Sequence, residues 1–121
     1  MALNLIQTNA YEITPVLAVN AQTGTSYTFA LSDSVNTLVT AANASAIAVT
    51  IPTNATVAFP VGSVVNLAQT GAGQVTISGA GGVTVTSVGA TAATPKTRVQ
   101  YSGLSAVQTS ANNWLVLGDI A

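Results

Sequence analysis

The chain has no cysteine and no histidine, and its 121 residues include only two basic and three acidic side chains. Without cysteine there is neither a disulfide framework nor a thiolate nucleophile, and without histidine there is no imidazole base and no zinc site of the usual kind. The charged fraction is 4%, against roughly 25% in an ordinary domain. Two cations under a net charge of −1 cannot neutralise a run of phosphates, so no nucleic-acid partner is expected. Long hydrophobic runs are missing too. Asn, Thr, Ser, Gly and Gln interrupt every apolar stretch well short of the ~20 residues of a membrane-spanning helix. The opening residues, Met1 to Pro15, lack the charged start and apolar block of a secretory signal. Neither a membrane nor an export route is expected.

What is present is a folding chain. The hydrophobic share is 49% and the mean hydropathy is +0.55, too high for a solvated tail. A folded monomer of this mass exposes about 6,000 Å², and five charged side chains must serve all of it. Such a surface favours association, and the composition predicts a subunit of an assembly.

Alternation dominates the pattern. Apolar residues take every second position in Gln74–Ser78, Gly82–Thr86, Ser26–Leu31 and Ala46–Ile51, which predicts strands with one buried face. Val64–Gln69, Arg98–Tyr101 and Leu104–Thr109 are further strand candidates, and Trp114–Leu117 is apolar on both faces. This last feature places Leu115 and Leu117 in an expected subunit interface. Around Asp33–Leu38 a single helical turn leads into a strand. Turn residues recur at Pro52–Asn54, Pro60–Gly62, Gly71–Gly73, Gly79–Gly82 and Ser110–Asn113, a spacing that predicts a small antiparallel β-sandwich or barrel over residues 26–121. Gly71 and Gly73 are read as a tight hairpin with positive φ. Trp114 is expected to close the core with its N–H on a backbone acceptor.

Residues 1–25 differ from the rest. They concentrate Leu3, Leu5, Ile6, Tyr11, Ile13, Val16 and Leu17 before the polar stretch Asn20–Thr25. The expectation is an extended N-terminal arm and linker whose apolar residues bind a partner by adding a strand to an exposed sheet edge; the alternative is an ordinary first strand of the same sheet, since proline is tolerated on edge strands.

Chemical motifs are weak. Gly71-x-Gly73 and Gly79-x-Gly81-Gly82 each lead into a strand and lack the Lys-Ser/Thr ending of a phosphate loop. Lys96 is the only base the composition offers a serine nucleophile, and it lies in a polar loop where a solvated lysine is expected. Glu12, Asp33 and Asp119 are isolated carboxylates suited to caps and turns. Thr84-Val85-Thr86 and Thr23-Gly24-Thr25 suggest a flat ice-binding surface, but no constant repeat accompanies them. Six aromatics in all leave few for a sugar-binding platform. No catalytic residue, metal, cofactor or small-molecule substrate is expected.

From Tyr27 onward, five segments taken in order, Tyr27–Asp33, Asn43–Ala46, Val57–Gly62, Gln69–Thr76 and Trp114–Asp119, resemble a small β module of tailed-bacteriophage virion proteins. The likeness covers about three quarters of the chain. The resemblance implies a non-enzymatic structural protein, since the module occurs in capsid-decoration, head-fibre and tail-fibre proteins as an oligomeric, often trimeric, unit. A short chain with an extra arm suits a decoration protein binding the major capsid protein on the head as a homotrimer. The alternative is a tail-fibre or head-fibre module for host attachment or glycan binding.

Overall fold

The computed structural model describes residues 16–89 and 91–121. Nine strands occur among them: β1 Ala18–Gln22, β2 Ser26–Thr28, β3 Thr37–Ala41, β4 Ile47–Ile51, β5 Val64–Gln69, β6 Val75–Gly79, β7 Thr84–Thr86, β8 Gly103–Ser110 and β9 Asn113–Gly118. They form a six-stranded sheet in the order β1-β3-β5-β8-β9-β7 and a three-stranded sheet in the order β2-β4-β6. A β-rich fold with almost no helix was legible from the alternation. The expected antiparallel arrangement is not what the chain adopts, because most of its strand pairs are parallel.

From β1 to β6 the chain alternates between the sheets, and each return lays a strand parallel to the one before: β1 with β3, β3 with β5, β2 with β4, β4 with β6. The result is three stacked coils of a parallel solenoid, in which each coil leans on its neighbours. Among the described strand pairs, only β5-β8 and β8-β9 are antiparallel. Hairpin turns are short, whereas parallel neighbours require the chain to travel out and back. Here the second sheet supplies the return path.

The corners that carry the chain from the larger sheet to the smaller are residues 23–25, 42–46 and 70–74, and they stack like the strands. Ala42 N–H donates to Gln22 O (2.9 Å), Thr70 N–H to Ala41 O (2.8 Å) and Gly73 N–H to Asn43 O (2.7 Å). Gly71 and Gly73 therefore serve close approach. Positive φ occurs at Gly62, Gly82, Gly89 and Gly118 and at neither of them. They also do not form a hairpin, because β5 and β6 belong to different sheets.

The core lies between the sheets. Val39, Val65, Leu67, Ala106 and Val116 from the larger sheet meet Ile47, Val49, Ile51, Val75 and Ile77 from the smaller, all within 2% exposure. Phe29 and Phe59, from the connections returning to the larger sheet, complete it. Trp114 packs edge-on against Phe59 at a ring separation of 5.2 Å. Its Nε1 has no hydrogen-bond partner, contrary to the expected backbone acceptor, because the ring sits within the apolar cluster. Arg98–Tyr101, expected as a strand, is a turn. Tyr101 has φ 72°, and Ser102 N–H closes on Val99 O at 3.0 Å.

The two ends of the solenoid differ. The outer edge of β6 is covered by residues 95–97: Ile77 N–H donates to Pro95 O, Thr97 N–H donates to Val75 O, and Thr76 bridges Lys96. At the other end β1 and β2 each terminate their sheet. Ala18–Gln22 falls within the stretch expected as arm and linker, yet as β1 it pairs along its full length with β3.

Candidate assembly surface

On β3, Val39 and Ala41 point inward, so Leu38 and Thr40 point outward, and the strand register carries this division across the whole sheet. One outward row runs Val19, Leu38, Asn66, Ser105, Leu117. A second runs Val64, Val107, Leu115, Thr86, and a third Ala21, Thr40, Ala68, Gly103. No residue in the three rows is charged. Val19 is 62% and Leu117 52% exposed, while Leu38, Val107 and Leu115 are half-buried by their neighbours. A shallow depression crosses the middle of this face, lined by Leu38, Asn66, Ala68, Ser105 and Leu117. Asn66 and Ser105 satisfy each other across it, the Ser105 hydroxyl donating to Asn66 Oδ1 at 2.6 Å. Such a face makes few demands on a partner's polar groups when it is covered.

Leu115 and Leu117 both lie on this surface. Val16 and Leu17 lie at its edge, just before β1, with Val16 91% exposed. Leu3, Leu5, Ile6, Tyr11 and Ile13 lie outside the described residues, as does Glu12. The rest of the face was missed at sequence level, because Val19, Leu38, Val64 and Val107 are brought together by pairing between strands distant in the chain.

Three of the four described charges, Arg98, Asp119 and Asp33, are engaged elsewhere. Arg98 Nε and Nη2 donate to the two oxygens of Asp119 at 2.7 and 2.9 Å, and the Ser102 hydroxyl adds a third bond to the same carboxylate. Arg98 and then Ser102 hold the Asp119 carboxyl below its ordinary range, and Asp119 raises Arg98 in turn. Asp33, 1% exposed, sits between the sheets in the first coil. It accepts hydrogen bonds from the Tyr27 hydroxyl (2.5 Å), the Asn20 amide (2.8 Å) and the Ala30 N–H (2.8 Å). Gln22 extends the network by donating to Asn20 Oδ1. Among the described residues no three acidic groups converge on a point where they could hold a metal ion.

Burial, and then the hydrogen bond and charge of Asp33, push the Tyr27 hydroxyl up to about 12. The folded state therefore holds that proton more tightly than the unfolded chain, whose tyrosine titrates near 10. The resulting stabilisation is fully present below about pH 10 and is lost as pH rises through about 12, by on the order of 1–2 kcal/mol for a half-buried group. Urea midpoints measured from pH 9 to pH 12 should fall with pH, and Tyr27→Phe should flatten that part of the profile. An unchanged slope in the variant would place the alkaline loss elsewhere.

No family model, curated protein or solved structure matches this chain.

Proposed function

We propose that this chain is a non-enzymatic structural protein of a tailed-bacteriophage virion, a decoration protein that binds the capsid as a homotrimer. The observation that carries the reading is the uncharged outer face of the six-stranded sheet, which presents Val19, Leu38, Val64, Val107, Leu115 and Leu117 together. Three copies turn that face toward a common axis, burying Leu115 and Leu117 between subunits. The low charge supports the same reading, since a surface of small apolar and hydroxyl side chains is suited to permanent burial between copies. The resemblance of Tyr27–Asp33 and Trp114–Asp119 to virion modules supports the particle as its place.

Sedimentation at micromolar concentration should give three times the 12.0 kDa chain mass, with little change between low and physiological salt because no ion pair crosses the interface. Leu117→Lys should yield a folded monomer, as the side chain is half exposed within the subunit but would carry an unpaired charge into the interface. A monomeric parent protein would overturn the assembly reading. A labelled copy should appear on the heads of intact particles by microscopy, whereas label on the tail would transfer the reading to the fibre class.

A further inference from the structure

A three-fold ring asks each subunit for two different contact surfaces, because every copy meets one neighbour on each of two sides. We infer that the outer face of the six-stranded sheet seats on a second copy of this chain, in the groove between that neighbour's connections 29–36 and 52–63. The inference rests on the trimeric reading and names the surfaces that meet.

Area is the first argument. Strand spacing and rise give the outer face about 30 by 20 Å, or roughly 600 Å². A stable contact covers about 800 Å² on each partner, and membership of a ring doubles the demand. One face of that size serves one neighbour, so the other contact needs a second surface. The groove supplies it. Leu31 and Val35 form one wall and Ala58, Pro60 and Val61 the other, enclosing about 430 Å³. All five side chains are exposed and none is charged, since the Asp33 carboxylate between Leu31 and Val35 is turned into the core. The hydroxyls at the groove are already engaged, Ser34 Oγ donating to Leu31 O at 2.7 Å and Ser63 Oγ to Pro60 O at 2.6 Å, so covering them costs little. Position is the third argument. Ser63 leads directly into Val64, which begins β5 and the second outward row, and Gly62 N–H donates to Gln108 O of β8 at 2.8 Å. Face and groove therefore adjoin as two sides of one subunit. Val88, Val99 and Tyr101 apart, every exposed large apolar side chain among the described residues lies on that face, at its edge or along this groove. An uncharged apolar face and an uncharged apolar groove on one chain match in chemistry, each removing from water what the other exposes.

Charge exchange tests the pairing. Val61→Lys should lose the trimer as Leu117→Lys does while keeping the parent's circular dichroism, because Val61 is 66% exposed in the subunit. Val35→Lys, on the opposite wall, serves in its place should Val61→Lys fail to fold. Leu117→Glu alone should also be monomeric. Leu117→Glu with Val61→Lys on one chain should recover the trimer at low salt, since the glutamate of each copy then faces the lysine of the next. Charges act over roughly 30 Å at about 0.01 M ionic strength and over roughly 8 Å at physiological strength. The rescue therefore tolerates imperfect registry, and the rescued trimer, unlike the parent, should dissociate as salt is raised. Leu117→Lys with Val61→Lys, carrying like charges, should stay monomeric at both salt concentrations. A Val61→Lys protein that remains trimeric would overturn the inference, and if it no longer bound heads the groove would belong to the capsid contact instead. A Glu–Lys double variant that stays monomeric at low salt would overturn the seating of face in groove. Either result with a trimeric parent leaves the functional reading standing, whereas a monomeric parent removes that reading and the inference together.

Discussion

Gly73→Ala should be among the most damaging single substitutions in this chain, lowering stability by about 3 kcal/mol or more. A Cβ at residue 73 would fall inside the Ser45 carbonyl group and 2.6 Å from Asn43 O. All of these are backbone atoms of the corner stacked beneath, so no side chain can rotate to make room. The corner itself must move, and its Gly73 N–H bond to Asn43 O would stretch with it. Overpacking of this kind typically costs 1–3 kcal/mol where side chains can adjust, and more where backbone must shift. Gly81→Ala is the natural control, since nothing lies within 4 Å of its Cβ and its φ is ordinary. There the loss of freedom in the unfolded chain should leave stability unchanged or raise it by up to about 1 kcal/mol. Urea denaturation of both variants at one protein concentration would make the comparison. A Gly73→Ala midpoint close to that of Gly81→Ala would mean that the corners are not packed as described.

The same glycines explain why the strands were legible and their arrangement was not. Alternation in Val64–Gln69 and Gln74–Ser78 identifies strands whichever way their partners run, because side-chain direction has period two in parallel and antiparallel sheets alike. A Gly-x-Gly between two such runs is the usual mark of a hairpin. Only the third coil's packing on the second reveals that these glycines admit a neighbouring backbone. A trace of the solenoid does lie in the sequence: the second and third coils pair at an offset of 28 positions in both sheets, Leu38 with Asn66 and Ile47 with Val75. At that spacing Val39 faces Leu67, and Val49 faces Ile77. The first coil breaks the period, with offsets of 19 to β3 and 22 to β4. Two matching coils at an unfamiliar spacing do not stand out against a background of Val, Ala and Thr. Of the uncharged outer face, only Leu115 and Leu117 stand out in the sequence, where one strand is apolar on both sides. Its remaining members sit in strands that each look half-solvated when read alone.

Asp33→Ala should destabilise the chain by about 3–5 kcal/mol, and its effect should be centred on the first coil. Asp33 is 1% exposed, with no basic side chain among its hydrogen-bond partners, so its charge is balanced by the dipoles of three donors. Removing the carboxylate leaves the Tyr27 hydroxyl, the Asn20 amide and the Ala30 N–H to find new acceptors, at about 1–3 kcal/mol for each one left buried and unpaired. Asn20 has an alternative, because its amide also lies 2.8 Å from the Tyr27 oxygen, and the Ala30 N–H also reaches that oxygen. Asp33→Asn should cost roughly half as much, because the amide retains one acceptor oxygen and nearly the same shape. Amide exchange would locate the damage: protection should fall first in β1 and β2, whose inward residues Asn20, Gln22 and Tyr27 make up the rest of the network. The antiparallel β8-β9 hairpin, at the far side of the sheet, should keep its protection until the chain unfolds as a whole. Uniform loss across all nine strands would mean that Asp33 supports the entire core rather than the coil in which it is buried.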